Sequence, residues 1–137
     1  MPGIMELQGQ CLLAPLTTLG LGGRAEYFID ISTLEELRCL YREAQRRDLS
    51  LTILGGGSNA LSPDEGVEGI VFRYGGSHLQ CSEAQNDVVI VDVGAGYEWD
   101  ALVDWAVNEG LWGLECLSGI PGWVGACLLY TSPSPRD

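Results

Sequence analysis

The sequence contains no lysine and a single histidine, and these scarcities exclude several common kinds of site. A P-loop ends in Gly-Lys-Ser or Gly-Lys-Thr, so ordinary ATP or GTP hydrolysis is excluded. No Ser-His-Asp or Cys-His set is evident. His78, between Ser77 and Leu79, is interpreted as a strand or turn residue rather than a base.

Positive charge is also scarce, since seven arginines face 19 acidic residues and the net charge is −12. Nucleic-acid binding needs clusters of basic side chains, so we expect no nucleic-acid partner. The acidic residues are spread along the chain, which is typical of a soluble surface. No apolar run reaches eighteen residues, and the N-terminus lacks the features of a secretory signal. We therefore expect one cytoplasmic domain without a membrane span.

The five cysteines, at positions 11, 39, 81, 116 and 127, form no Cys-x-x-Cys pair, and their number is odd. Zinc sites and disulfide frameworks need closer or paired spacing. We therefore predict no metal site and interpret the cysteines as reduced, mostly buried thiols.

Glycine is abundant, and one glycine-rich stretch is the strongest candidate site. Leu51–Leu54 is predicted to form a short buried strand, followed at once by Gly55–Gly57. Glycines can turn sharply and present successive N–H groups to an anion, most often a phosphate. Ser58 can add a hydroxyl, and Asn59 tolerates unusual backbone angles. These residues alone are equally compatible with a glycine-rich turn at the end of a strand.

The segment before this loop predicts a βαβ unit. After a loose leader over residues 1–11, Tyr27–Ile31 is rich in strand formers. Ser32–Glu35 matches a capping box, and apolar residues at helical spacing predict a helix over Thr33–Arg47. The right-handed crossover makes the flanking strands parallel, so the glycine loop lies at the carboxyl end of a parallel strand, where α/β folds usually bind ligands.

The dinucleotide-binding fingerprint is formally present, because Gly55-x-Gly57-x-x-Ala60 follows a strand. That motif must open a helix, but Pro63 and Gly66 interrupt the following segment. The fingerprint also follows the second predicted strand, not the first, and lacks its acidic partner about twenty residues later. A Rossmann fold is therefore disfavoured.

Further elements are predicted towards the C-terminus. Gly69–Phe72 is a short strand, and Val88–Val93 is a strand with a partner near residues 77–82. An apolar face beginning at Trp99 predicts a helix that stops at Gly110. We interpret the tryptophans of this helix as packing residues.

Leu117–Ala126 is the second unusual stretch, because it is apolar and contains three glycines and Pro121. Uncharged backbone without bulky side chains can approach a flat ring or a pyrophosphate closely. A tight turn into a small helix fits the same residues, and physical reasoning leaves both interpretations open.

Five motifs in a fixed order together identify a resemblance, although each alone is common. They are Thr17–Ala25, Leu54–Leu61, Val93–Gly96, Gly113–Glu115 and Ser118–Ala126. Over residues 12–126 their order and spacing resemble the bacterial UDP-N-acetylenolpyruvoylglucosamine reductase family, also called UDP-N-acetylmuramate dehydrogenase.

The resemblance implies an α+β, FAD-binding fold of the vanillyl-alcohol oxidase (PCMH) type, in which two α+β subdomains clasp the cofactor. The first subdomain would span residues 12–76, and residues 77–126 would begin the second, which is truncated. The glycine loop would hold the FAD pyrophosphate, and the second stretch would line the flavin and its phosphates. The implied cofactor-binding residues are Gly55, Gly56, Gly57, Ser58, Asn59, Ala60, Ser118, Gly119, Ile120, Pro121, Gly122, Val124, Gly125 and Ala126.

The resemblance also implies a reaction in peptidoglycan precursor synthesis, and hence a role in cell wall biogenesis, cell shape and cell division. In the family, NADPH reduces FAD, and the flavin passes the hydride to the enolpyruvyl group of a UDP-sugar to give UDP-N-acetylmuramate. We expect a cytoplasmic monomer with this small-molecule substrate.

The resemblance stops after Ala126. The family continues with a Pro-x-Gln-Asn-x-Gly-Ala-Tyr-Gly type segment, whereas residues 127–137 read as a non-native, disordered tail or, alternatively, a divergent C-terminus. The family's catalytic arginine, serine and glutamate lie beyond this point, so no catalytic residue is assigned. We predict that the chain binds FAD weakly at most and is catalytically silent.

Two other functions fit the residues. One is a different FAD oxidase or dehydrogenase of the same fold, although His78 lies too far along the chain to be an easy covalent flavin attachment site. The other is a non-catalytic nucleotide-binding module. A flavin spectrum of the purified protein would distinguish the flavoenzymes from the latter.

Overall fold

A four-stranded mixed sheet is the largest element of the computed structural model, which describes residues 7–83 and 86–126. Its strands are β1 (Gln8–Leu12), β2 (Arg24–Ile31), β3 (Leu51–Ile53) and β4 (Val67–Tyr74). They lie in the order β1-β2-β4-β3, with β1 antiparallel to β2 and with both β2 and β3 parallel to β4. The strands β2 and β3 are therefore parallel, as predicted, but β4 lies between them.

Helix α1 (Leu34–Arg47) connects β2 to β3 and confirms the predicted helix. Its capping box lies one residue later than predicted, because Thr33 remains extended and is the N-cap. The Thr33 hydroxyl accepts from the Glu36 N–H at 3.2 Å, and the Glu36 carboxylate accepts from the Thr33 N–H at 3.0 Å. Glutamate at the third helical position completes the box.

Two expectations about the edges of the sheet are wrong. Residues 8–11 belong to β1 rather than to a loose leader, because their backbone pairs with β2. Strand β3 is not buried, because it lies at the end of the sheet and Ile53 is 67% exposed. Leu54, just after β3, is the buried residue of the predicted strand.

Both faces of the sheet are covered, because side chains alternate along β4. Ile70 and Phe72 pack with Leu40 of α1, whereas Val71 packs on the other face with Leu13 and Leu54. A strand buried on both faces is apolar at successive positions, which explains the run Ile-Val-Phe.

The rest of the chain forms a smaller unit. β5 (Leu79–Cys81) pairs antiparallel with β6 (Val91–Val93), and α2 (Trp99–Asn108) follows. The pairing is as predicted, but β6 is shorter than the predicted strand Val88–Val93. The N–H groups of Gly110 and Leu111 donate to the carbonyls of Val107 and Ala106. Gly110 has φ +71°, so it ends the helix as the sequence predicts.

The cysteines are less buried than predicted. Cys81 and Cys116 are exposed, and Cys11 and Cys39 are half-buried; Cys127 lies outside the described residues. No group of three or more potential metal ligands occurs in the described part of the chain. No described helix is both long and apolar enough to cross a membrane.

Candidate functional site

The glycine loop follows β3 directly, at the carboxyl end of two parallel strands. The Leu54 N–H donates to the Phe72 carbonyl at 2.8 Å, so the loop starts where the ladder to β4 ends. The next regular element after Gly55 is β4, beginning at Val67, and no helix intervenes. The absence of a helix over residues 55–66 confirms that the loop is not a Rossmann fingerprint.

Gly57 is the position where the loop requires glycine. Its φ is +73°, and an added Cβ would overlap the carbonyl oxygen of Leu16. The Gly57 carbonyl also accepts a hydrogen bond from the Thr18 N–H at 2.9 Å. The loop is thus fixed against residues 16–18, of which Thr17 and Thr18 belong to the first of the five motifs.

The N–H groups of the loop are available to a ligand. Within residues 7–83 and 86–126, no N–H from Gly55 to Ala60 donates a hydrogen bond to a protein acceptor. Backbone donors that pair with no protein group need water or a ligand. A row of such donors is the arrangement that binds anions through the backbone.

The second stretch is fixed to the turn before α2 by backbone hydrogen bonds. The Trp99 N–H donates to Gly122, and the N–H groups of Val124 and Gly125 donate to Tyr97 and Ala95, each at 2.9 Å. An added Cβ at Gly125 would crowd Ala95. These bonds determine the path of residues 122–125 without help from long side chains.

The start of this stretch is fixed to α2 through one carboxylate. The Ser118 hydroxyl and the Gly119 N–H donate to the same Asp100 oxygen at 3.1 and 2.7 Å. Ser118 and Gly119 therefore hold the stretch in place and do not face the loop.

The two stretches face each other across a cleft of about 540 Å³. The Ser58 hydroxyl donates to the Pro121 carbonyl at 3.4 Å. A Cβ added to Gly55 would lie 3.3 Å from the Ala126 Cβ. The lining residues are Ile53, Leu54, Gly55, Gly56, Gly57, Ser58, Asn59, Ala60, Trp99, Ile120, Pro121, Trp123 and Ala126.

The structure thus brings most of the predicted site residues together. All of Gly55–Ala60 line the cleft, and so do Ile120, Pro121 and Ala126. Gly122 does not line the cleft itself, but it lies close to the loop, since an added Cβ would be 3.1 Å from the Ser58 hydroxyl oxygen. Val124 packs instead into the core beneath α2.

Two tryptophans line the cleft although the predicted site does not contain them. Trp123 lies so close to Gly56 that an added Cβ there would be 3.2 Å from the indole. Trp123 lies inside the fifth motif, Ser118–Ala126, and this position in the sequence could have identified it as a site residue. Trp99 is 7% exposed, so the packing role predicted for it is confirmed, but it also reaches the cleft.

Of the described residues, none that lines the cleft has a charged side chain. Arg73 pairs with Asp30 and lies over Phe28, and it does not line the cleft. The carboxyl of Glu43 has its pKa lowered to about 2 by hydrogen bonds from Arg46 and Arg47, but it lies on α1. The cleft therefore offers backbone donors and apolar walls, and no general acid or base.

Such a cleft can hold a doubly charged pyrophosphate group beside a flat ring. The N–H groups of the loop suit the phosphates, and the indoles and aliphatic side chains suit the ring. No acidic side chain in the described part of the chain lines the cleft, so none of these repels an anion at contact distance.

Comparisons with known proteins agree with this geometry. The profile of a family described as FAD binding domain matches residues 25–135. The chain belongs to this FAD-binding domain family.

The similarity extends to particular enzymes. The UDP-N-acetylenolpyruvoylglucosamine reductase of Thermobifida fusca is 48% identical over 114 residues, which are 83% of this chain and 32% of that protein. The same reductase of Saccharopolyspora erythraea is 44% identical over 86% of this chain and 32% of its own length. The chain spans about a third of the length of these curated relatives.

A solved structure gives the same result. The crystal structure of UDP-N-acetylenolpyruvylglucosamine reductase from Thermus caldophilus has a TM-score of 0.70 and 32% identity, and the match covers 97% of this chain and 45% of that chain. The resemblance to this reductase family and the α+β, PCMH-type FAD-binding fold are confirmed. The division into subdomains stays a prediction, and residues 127–137 lie outside the described residues.

Proposed function

We propose that the cleft binds FAD, with the N–H groups of Gly55–Asn59 on the pyrophosphate and Ser118–Ala126 forming the opposite wall. The observation that carries this proposal is the row of loop N–H groups that donate to no acceptor among the described residues, opposite a tryptophan-lined wall. Because no lysine or arginine of the described residues lines the cleft, we assign the contacts to phosphate to backbone donors.

The whole protein would then catalyse the NADPH-dependent reduction of UDP-N-acetylglucosamine enolpyruvate to UDP-N-acetylmuramate. The names of the relatives and of the matching structure support this assignment. When bound, FAD would supply hydride transfer between NADPH and the enolpyruvyl double bond.

The residues described here bind and orient rather than transfer protons. Gly57 and Ser58 fix the phosphates, while Trp99, Trp123 and Ile120 exclude water from the apolar side of the cleft. Protonating the reduced substrate needs a general acid, and no titratable side chain of residues 7–83 and 86–126 lines the cleft. The chain alone is therefore expected to hold FAD without turning over substrate.

Two measurements on the purified chain test these statements. A fluorescence titration of the chain with FAD should give saturable but weak binding; a titration without any saturable change would contradict FAD binding. With NADPH and the UDP-sugar, no NADPH oxidation above the protein-free rate is expected. Product formation would contradict the proposed inactivity of the chain alone.

A further inference from the structure

The segment Leu13–Leu21, here called the buttress, packs against the glycine loop. Leu13 is 1% exposed and belongs to the core on the loop side of the sheet. Thr17 is 8% exposed, and its hydroxyl lies 3.1 Å from the Ala14 carbonyl and 3.2 Å from the Leu21 carbonyl. These internal bonds make the buttress a fixed structure rather than a loose connection.

The buttress meets the loop at Gly57 through two backbone groups. The Thr18 N–H donates to the Gly57 carbonyl at 2.9 Å. The Leu16 carbonyl oxygen occupies the space that a Cβ of Gly57 would take. These contacts restrain both the position of Gly57 and the direction of its carbonyl.

The direction of the Gly57 carbonyl also determines where the Ser58 N–H points. The two groups belong to one planar peptide unit, and no described peptide bond is cis. In a trans peptide the C=O and N–H point in opposite directions. Since the carbonyl points at the buttress, the Ser58 N–H points away from it, and Ser58 lines the cleft.

We propose that Thr18 is a positioning residue: its backbone N–H, by holding the Gly57–Ser58 peptide, aims the Ser58 N–H at the phosphate group of the bound ligand. This inference rests on the proposed FAD binding and adds a residue outside the cleft to it. No side chain at position 18 is required, only its N–H.

The test replaces Thr18 by proline, which removes the N–H, and by alanine, which keeps it. Proline fits the local backbone, because Thr18 is the second residue of a turn closed by the Gly20 N–H on the Thr17 carbonyl, and Thr17 is extended. Dissociation constants are measured for FAD and for riboflavin, which carries the ring without phosphates.

We expect Thr18→Pro to weaken FAD binding about tenfold or more while leaving riboflavin binding unchanged, because one charge-assisted hydrogen bond is lost. Thr18→Ala should match the unmodified chain for both ligands. Equal FAD affinity in the two variants, or an equal loss for FAD and riboflavin, would overturn the positioning role. If the unmodified chain bound no FAD, the proposed function would fail first, and this inference with it.

A second measurement remains decisive if Thr18→Pro does not fold. The Ser58 amide of the unmodified chain is followed by NMR during titration with inorganic pyrophosphate. A saturable shift of this resonance supports an N–H aimed at phosphate. An unshifted Ser58 amide, with neighbouring loop amides shifting, would show that the peptide points elsewhere.

Discussion

The two walls of the cleft are supported very differently. The loop wall rests on a four-stranded sheet covered on both faces, with Leu13, Leu40 and Ile70 almost fully buried. The opposite wall rests on two three-residue strands and α2. Beside α2 lies an open apolar groove of about 980 Å³, and Trp112 on its edge is 89% exposed.

This difference in packing indicates which wall can adapt to a ligand. Local opening is easiest where few apolar contacts are buried. The loop wall, fixed by the sheet and the buttress, should be preformed. The Ser118–Ala126 wall, held mainly by backbone bonds to the turn before α2, should open and close at lower cost.

The largest expected effect compares a leucine from each core. Leu40→Ala should lower the free energy of unfolding by about 2–5 kcal/mol, because it leaves a cavity in a fully enclosed site. Leu102→Ala should cost roughly 1 kcal/mol less, because Leu102 borders the open groove, where the surroundings can relax. Urea unfolding measures both. If Leu102→Ala lowered the free energy of unfolding as much as Leu40→Ala or more, the two walls would not differ in how firmly their cores are packed.

Two glycines with similar backbone angles allow the effect of backbone strain to be distinguished from the effect of loop geometry on FAD binding. Gly57 and Gly110 have φ of +73° and +71°, but only Gly57 would clash with other backbone. The left-handed conformation should cost both alanine variants roughly 1–2 kcal/mol of stability. Gly57→Ala should lose more than this, because its Cβ would overlap the Leu16 carbonyl oxygen. Gly57→Ala should also weaken FAD binding more than about tenfold, because the loop must move. If Gly110→Ala weakened FAD binding as much, the loop geometry would not be the cause.

A pair of tryptophans tests the adaptable wall. Trp123→Ala should weaken FAD binding by roughly two- to tenfold, the range expected for one aromatic contact. Trp112→Ala removes an exposed indole of the same unit away from the cleft and should leave the affinity unchanged. Isothermal titration calorimetry measures both. Unchanged affinity in Trp123→Ala would mean that the indole does not contact the ligand.

The smallest expected effect is on stability and concerns Glu43, on the surface of α1. Hydrogen bonds from Arg46 and Arg47 lower the pKa of Glu43 to about 2, from an ordinary value of 4.5. A lowered carboxyl pKa stabilises the fold above the unfolded-state value, and this contribution is lost as the pH falls from about 4.5 through about 2. Glu43→Gln should therefore be slightly less stable than the unmodified chain at about pH 7, and this difference should shrink at about pH 3.

Thermal unfolding at the two pH values measures this difference. Glu35→Gln is the comparison, because it removes a more exposed carboxylate of the same helix that pairs, among the described residues, with Arg38 alone. A stability difference for Glu43→Gln that did not change with pH would contradict the role of the ion pair. FAD affinity should not change in either variant, since both residues lie on α1, outside the cleft.

Local signals explain what the sequence could predict. The capping residues and apolar spacing of α1, the β-formers of β2 and the glycines at 55–57 act over a few neighbouring positions. Strand β1 lacked such a signal, because Gln-Gly-Gln is a poor strand former and becomes extended only by pairing with β2. The capping box was predicted one residue too early, because the backbone is still extended at Thr33 and the helix begins only at Leu34.

The composition of the cleft was harder to predict than its motifs. Ser58 meets Pro121 across 63 residues of sequence, and nothing local indicates that juxtaposition. Glycine content singled out both stretches, and the family resemblance assigned them to FAD. Which residues of the second stretch line the cleft depends on backbone bonds to the turn before α2. Trp123 was therefore missed, while Ser118 and Gly119 were included although they bind Asp100.

The most direct test of the central claim is an amide NMR spectrum of the chain recorded with FAD and, separately, with riboflavin. If the loop N–H groups hold the pyrophosphate, FAD should shift the amides of Gly55–Asn59, and riboflavin should leave them nearly unchanged. The amides of Ile120 and of residues 122–126 should respond to both ligands. FAD binding without shifts at Gly55–Asn59 would contradict the account.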